Sequence, residues 1–353
     1  VVHLTLENKG IAGDVPEEIG QLSALKTLNL ENNDVRSLPN FGAMEGLRSL
    51  ETLNLKNNQL KTLPDGLDRL SSLSELFLDK NGFSNIGALP PTLRRFTAAN
   101  NGVKDVPWES LCECVNLESL DLSGNDIEWV PESVGKLVEL KTLLLAGNNL
   151  TSVPSTMGLA LSGVKVLDLS RNRIAAVPAE FGQGLASIEE LNLRSNRITT
   201  LPNDLVLLSN TPLRRLDLTK NPIEVVPEVV GQLRRNERLT LLMDDGVVID
   251  ENADADALRA WRDRCPELRA LWPEKADVNT WRGVTCRGKD VVKIELPEQK
   301  ISGKIPSVLG NLASLETLNL GGNSLTGDVP SALGDLAALT RLDLHGNKLT
   351  GVA

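Results

Sequence analysis

The sequence predicts an α/β solenoid: a curved repeat array with a parallel β-sheet on the concave side, interrupted by a helical cap. Three observations carry that expectation. Leu makes up 64 of the 353 residues. A short pattern of alternating Leu and polar residues returns every 20–25 residues. Over residues 247–290 the pattern stops, and a helix-forming stretch replaces it.

The unit reads Leu-x-x-Leu-x-Leu-x-x-Asn-x-Leu-x-x-Leu-Pro. It runs from Leu25 through Leu28, Leu30 and Asn33 to Leu38-Pro39, and again from Leu117 through Asn125 to Val130-Pro131. The Asn position recurs at 33, 58, 81, 101, 125, 148, 172, 196 and 221. Leu-x-Leu alternation suits a short strand with one buried face. A single such strand cannot bury that face, whereas stacked copies share a continuous core. Each buried Leu contributes roughly 1.5–3 kcal/mol. The Asn falls where the chain leaves the strand, so its amide can serve backbone groups that have lost their sheet partner. Pro closes the unit because it cannot donate to a ladder and fixes φ.

Composition excludes several classes. Hydrophobic residues are 41% of the chain, which argues for a folded state. No apolar run reaches the ~18 residues of a membrane span. Acids outnumber bases 47 to 37, the wrong balance for nucleic acid. The locally basic stretch Arg194, Arg197, Arg214, Arg215, Lys220, Arg234 and Arg235 is interleaved with Glu189, Glu190, Asp217, Glu224 and Glu228, which reads as a solvated mixed-charge face. The chain opens on Val1-Val2-His3-Leu4 and stops inside a repeat at Thr350-Gly351-Val352-Ala353, so a fragment of a longer protein is expected.

These units resemble leucine-rich repeats over nearly the whole chain. Those from Leu25 to Val226-Pro227 resemble the Leu-Pro type of bacterial and intracellular signalling proteins. Residues 1–16 and 291–353 resemble the plant type, as in Ile11-Ala12-Gly13-Asp14-Val15-Pro16 and Ile301-Ser302-Gly303-Lys304-Ile305-Pro306. Val1–Leu6 matches Val291–Leu296 at an offset of 290, so one kind of module is expected to begin twice. The expected organisation is a first arc over 1–246 with about eleven strands, a helical cap over 247–290, and the start of a second arc over 291–353 with about three strands. Within the cap, Ala253 to Trp272 read as helix with a break at Pro266. Trp281-Arg282-Gly283-Val284-Thr285-Cys286 resembles the end of a plant-type N-terminal cap. That cap usually carries a Cys two residues before the Trp, where Asn279 stands here. Pairing of Cys265 with Cys286 is left open, and the reading leans to an intracellular over an extracellular compartment.

Other motifs carry little chemistry. Cys112-Glu113-Cys114 lacks a second Cys/His pair and reads as structural thiols. Residues 250–256 mimic the start of a calcium loop, but Ala255 replaces the turn Gly and Trp261 the closing Glu, so the acids read as helix caps. His3 and His345 have no nucleophile arrangement, and no Gly-rich phosphate loop occurs. Trp108 and Trp129 read as packing residues. No enzyme activity, cofactor or metal is expected.

What remains is surface. Residues between the Leu positions point outward, giving a central row that contains Asn54, Phe77, Thr97, Asp121, Leu144, Asp168, Asn192 and Asp217. Phe77 and Leu144 interrupt an otherwise polar, exposed row, with Val166 beside it and Arg194 and Arg215 further on. Apolar residues inside a polar rim are the pattern of binding hot spots. The expected binding residues are therefore Phe77, Leu144, Val166, Asp121, Asp168, Arg194, Arg215 and Asp217. The expected function is a non-enzymatic scaffold that holds a protein or peptide on the concave sheet. The alternatives are a cell-surface receptor ectodomain, the substrate-recognition arm of a larger enzyme, and a structural element of a large assembly.

Overall fold

The computed structural model describes residues 1–40, 45–223, 225–227, 233, 238–245, 247–250 and 253–352. The chain forms two compact units, Val1–Glu224 with Gln232–Val247, and Val225–Gly231 with Val248–Ala353.

The first unit is a solenoid built on one eleven-stranded parallel sheet. Its strands are β1 (His3–Thr5), β2 (Thr27–Asn29), β3 (Thr52–Asn54), β4 (Glu75–Phe77), β5 (Arg95–Thr97) and β6 (Ser119–Asp121). β7 (Thr142–Leu144), β8 (Val166–Asp168), β9 (Glu190–Asn192), β10 (Arg215–Asp217) and β11 (Thr240–Leu242) complete it. Each strand pairs with the next one along the chain, and each pairing holds the same register. Leu28, Leu53, Leu76, Phe96, Leu120, Leu143, Leu167, Leu191 and Leu216 stack at this register, each no more than 1% exposed. Phe96 shows that the position demands apolar volume, not Leu itself.

Behind the sheet the coils return through single-turn helices such as Glu132–Lys136, Thr156–Ala160 and Glu180–Gly184. Pro131 and Pro202 sit immediately before two of these turns, where a missing N–H costs nothing. Neighbouring turns pack at backbone distance. A Cβ on Gly182 would lie 1.7 Å from the Asp204 carbonyl oxygen, so only glycine fits there.

The recurring asparagines bind the coils together. Asn172 Nδ2 lies 2.9 Å from Leu145 O in the preceding coil and 3.0 Å from Leu169 O in its own. Its Oδ1 accepts from Leu150 N at 3.0 Å. Asn33, Asn125, Asn148, Asn196 and Asn221 repeat this arrangement and are likewise buried. Where the ladder reaches Asp244, the carboxylate can only accept, and it takes Lys220 N at 2.6 Å.

The residue before each ladder position turns the chain with positive φ: Asn32, Asn57, Lys80, Asn100, Gly124, Gly147, Arg171, Ser195 and Lys220 all lie between 52° and 67°. Their N–H groups still donate to the next coil, as in Arg171 N to Arg194 O at 2.7 Å and Gly124 N to Ala146 O at 2.7 Å. The left-handed turn thus carries the inter-coil ladder past the end of the strands.

The second unit pairs Val225–Pro227 with Val248–Asp250 and then forms helices Ala253–Arg264 and Pro266–Leu271. β12 (Val284–Arg287) runs antiparallel to β13 (Asp290–Glu295). β14 (Thr317–Asn319) and β15 (Arg341–Asp343) continue from β13 in parallel. Trp272 stacks on Trp281 at 4.9 Å and meets Trp261 edge-on at 5.6 Å. Trp272 Nε1 donates to Arg282 O at 3.0 Å, which satisfies its one polar atom in the core. Asp254 Oδ2 accepts from Val291 N at 2.8 Å, tying the first helix to β13. Asp256 pairs with Arg259. Of the segment that mimics a calcium loop, Glu251 and Asn252 lie outside the described residues, as do Glu224, Glu228, Arg234 and Arg235 of the mixed-charge stretch. Asn323 and Asn347 renew the asparagine ladder here.

The expectation that both Trp108 and Trp129 pack inside is corrected at one of them. Trp108 is 6% exposed, but Trp129 is 59% exposed, because it falls between the inward positions Ile127 and Val130.

The four cysteines are free. Cys114 is fully buried and its sulfur contacts Pro90 O at 3.3 Å. Burial pushes its thiol up to about 11, and burial raises Cys112 and Cys265 as well. A raised thiol favours the neutral form in the fold. The stability it contributes is present below the unfolded value of 9.0 and is lost as pH rises towards 11. Burial and nearby acids raise Cys286 too, but it alone of the four is only half-buried, so native protein treated with iodoacetamide at pH 8 should react first there, with Cys112 and Cys114 labelled only after denaturation. Mass-spectrometric labelling of Cys114 at the rate of an exposed thiol would contradict this placement.

Candidate functional site

The outward face of the first unit's sheet carries three parallel columns. The register aligns Asn54 with Phe77, Thr97, Asp121 and Leu144 in the central column, followed by Asp168, Asn192 and Asp217. The column on the strand-entry side holds Glu75, Arg95, Ser119, Thr142, Val166, Glu190 and Arg215. On the strand-exit side, one residue beyond each inward Leu, come Lys56, Asp79, Ala99, Ser123, Ala146, Ser170, Arg194 and Thr219.

Phe77 and Leu144 are half-buried, so neither stands bare. Lys56 Nζ lies 4.9 Å from the centre of the Phe77 ring, and the Arg95 guanidinium 5.9 Å from it. Lys56 is held by Asp79 at 2.7 Å, and Arg95 pairs with Glu75. Asp79 is fixed in turn by Thr97 Oγ1 and Ala99 N, each at 2.7 Å. The ring is thus clamped by two cations, each anchored by its own acid. None of Lys56, Asp79, Glu75 and Arg95 stands out in the sequence, because each contact joins adjacent coils, and those to Phe77 also cross from one column to the next.

The remaining expected residues divide by environment. Asp121 and Asp168 each accept from a backbone N–H two residues on, Ser123 N and Ser170 N, both at 2.9 Å. Asp168 Oδ2 also accepts from Asn192 Nδ2 at 3.1 Å. Val166 is half-buried and next to Thr142 in its column. Arg194 Nη1 donates to Thr219 Oγ1 at 2.9 Å. The expected exposure of Asp217 is corrected: it is 2% exposed and spent internally. Its carboxylate takes Thr219 N at 3.1 Å, Thr219 Oγ1 at 2.6 Å and the exposed Arg215 at 3.3 Å.

A groove of about 350 Å³ opens along the strand-exit edge, beside Asp168 and Asn192. Ser123, Gly124, Ala146, Gly147 and Ser170 form its floor, and Arg171 and Arg194 close one end. A larger cavity of about 800 Å³ opens at the strand-entry edge, lined by Ser209, Thr211, Leu213 and Arg214 among others. On that edge an exposed ladder of ion pairs joins Lys26 to Glu51, Glu118 to both Arg94 and Lys141, and Lys165 to Glu189. Lys141 and Arg94 hold the Glu118 carboxyl below its ordinary range. Such exposed pairs contribute little stability.

A parallel sheet of in-register Leu-x-Leu strands, locked by a buried asparagine ladder and faced with outward columns, defines a leucine-rich repeat solenoid. The chain belongs to the leucine-rich repeat family: the family described as "Leucine rich repeat" matches residues 23–83, 138–198, 162–223 and 291–349, and a second repeat profile matches 116–137. Among curated relatives, a probable leucine-rich repeat receptor-like protein kinase of Arabidopsis thaliana is 33% identical over 75 residues, 21% of this chain and 8% of the relative. A probable inactive receptor kinase of the same plant is 40% identical over 78 residues, 22% of this chain and 12% of the relative. The aligned stretches thus span about a tenth of either kinase's length. Among solved structures, an LRR protein of Leptospira interrogans is 25% identical, covers 99% of this chain and 79% of its own, and has a TM-score of 0.60. The LRR ectodomain of the Arabidopsis thaliana receptor kinase GASSHO1/SCHENGEN3, in complex with CASPARIAN STRIP INTEGRITY FACTOR 2, is also 25% identical, over 99% of this chain and 39% of its own, with a TM-score of 0.61.

Proposed function

We propose that this chain is a non-enzymatic binding scaffold whose sheet face holds a protein or peptide partner. The observation that carries the reading is the central column, where Phe77 and Leu144 lie half-buried among polar neighbours in one fixed register. Strands locked on both sides leave little side-chain and backbone entropy to lose on association. The likeness to an ectodomain solved with CASPARIAN STRIP INTEGRITY FACTOR 2 supports the same reading. In this proposal residues 1–246 and 291–353 are two binding arcs and residues 247–290 the cap between them. Phe77, Leu144, Val166, Asp121, Asp168, Arg194 and Arg215 contribute the contact surface.

A second reading places the chain in the ectodomain of a receptor-like protein. Its support is the similarity of short stretches to two plant receptor kinases.

The scaffold reading is tested by crosslinking capture with the double variant Phe77→Asp/Leu144→Asp. Both side chains face outward, so circular dichroism should be unchanged while partner recovery falls at least tenfold, the cost of one or two lost hot spots of about 2 kcal/mol each. Full recovery with an intact fold would discard the column as a contact surface.

A further inference from the structure

The groove at the strand-exit edge has a chemistry of its own. Its floor is built where the repeat elsewhere places longer side chains: the same column holds Lys56 and Asp79 in earlier coils and Arg194 at the groove's end, but Ser123, Ala146 and Ser170 between. Beside the floor, the left-handed turn positions are glycine at 124 and 147. With no side chains rising there, an extended backbone can lie directly along the coils. The floor's N–H groups are already committed to the next coil, for example Gly147 N to Ser170 O at 2.8 Å. Binding here therefore rests on side-chain chemistry and shape and does not add a strand.

The charge at the groove's end is lopsided. Arg171 and Arg194 both line it, with Asp168 the one acid among the described lining residues. Both Asp168 oxygens are occupied by neutral donors, Ser170 N and Asn192 Nδ2. Arg194 spends one nitrogen on a hydroxyl, Thr219 Oγ1, and among the described residues its guanidinium meets no carboxylate. Arg171 is exposed. Arg171 and Arg194 thus line one end of a trough whose aliphatic wall is Ala146. Guanidinium pairs favour bidentate carboxylate partners over point charges.

We propose that this groove seats an extended peptide segment carrying an acidic side chain beside an aliphatic one, the carboxylate held by Arg171 and Arg194 and the aliphatic group against Ala146. The inference rests on the scaffold reading and names the partner chemistry of one part of that face. Its distinctive claim is the acidic residue.

The test is selection from a displayed library of random dodecapeptides on the intact chain, followed by binding of the selected synthetic peptides to wild type, Arg171→Glu/Arg194→Glu and Phe77→Asp/Leu144→Asp. The expected result is enrichment of Asp or Glu next to Leu, Ile or Val, and at least about tenfold weaker binding after charge reversal. Binding should also weaken as salt rises. The milder Arg171→Gln/Arg194→Gln variant should lose affinity in the same direction with an unchanged circular dichroism spectrum, which separates recognition from misfolding. Peptides that bind and are sensitive to Phe77→Asp/Leu144→Asp, yet show no acidic preference and ignore charge reversal, would overturn this inference and leave the scaffold reading standing. A library that yields no binder to the wild-type chain would overturn both.

Discussion

Replacing Trp272 with Ala is expected to lower the stability of the second unit by about 3–5 kcal/mol, the range for removing a fully buried Trp. The ring is 0% exposed, lies between Trp261 and Trp281, and donates its one N–H to Arg282 O. Its loss opens a cavity, abolishes two ring contacts and leaves the Arg282 carbonyl without that donor. The effect should be local, because solenoid coils touch only their neighbours. Limited proteolysis should therefore cut near residues 253–290 in the variant while peptides from the β2–β9 region keep their hydrogen-exchange protection. Protection lost equally over both units would mean the two fold as one cooperative body.

Asn172→Ala is the second large effect. Nδ2 serves the carbonyls of Leu145, Leu169 and Ser170, and Oδ1 serves Leu150 N. Removing the side chain strands buried groups in two coils at once, and each orphaned group costs about 1–3 kcal/mol. A loss of roughly 3–4 kcal/mol is expected, appearing as faster hydrogen exchange at Leu150 and its neighbours in β7 and β8. Asn172→Asp should recover only the acceptor role, as Asp244 does for Lys220. If Asn172→Ala leaves exchange at Leu150 unchanged, the ladder is not what holds adjacent coils together.

Much of this architecture was legible in the sequence. Leu28, Leu53 and Leu120 lie in strands of the same register because spacing places them identically in every unit. The Asn positions at 125, 148 and 172 were readable for the same reason. The left-handed residues were also within reach: Asn or Gly occupies 32, 57, 100, 124 and 147, the types that tolerate positive φ. Lys80, Arg171 and Lys220 hide that signal, since position dictates their conformation against their preference. The candidate face was read only in outline. Its columns follow from alternation, but the clamp of Lys56 and Arg95 on Phe77 depends on rotamers that cross between coils. The burial of Asp217 is announced by no periodicity, since Asp121 and Asp168 hold the same column position and stay half-buried. Val226-Pro227 closes a repeat unit, but its partner Val248–Asp250 lies beyond the last unit that the spacing marks.

The asparagine ladder also dictates how the first unit yields when pulled. Each of these rungs spans one coil boundary, and among the described residues no asparagine reaches across two. Traction on the ends loads the outermost rung before any other, so the coils would let go singly, like stitches drawn from a hem. Each release frees 20–25 residues, which pay out roughly 70–80 Å of slack. An optical trap should record a sawtooth of small, evenly spaced steps in place of a single rupture.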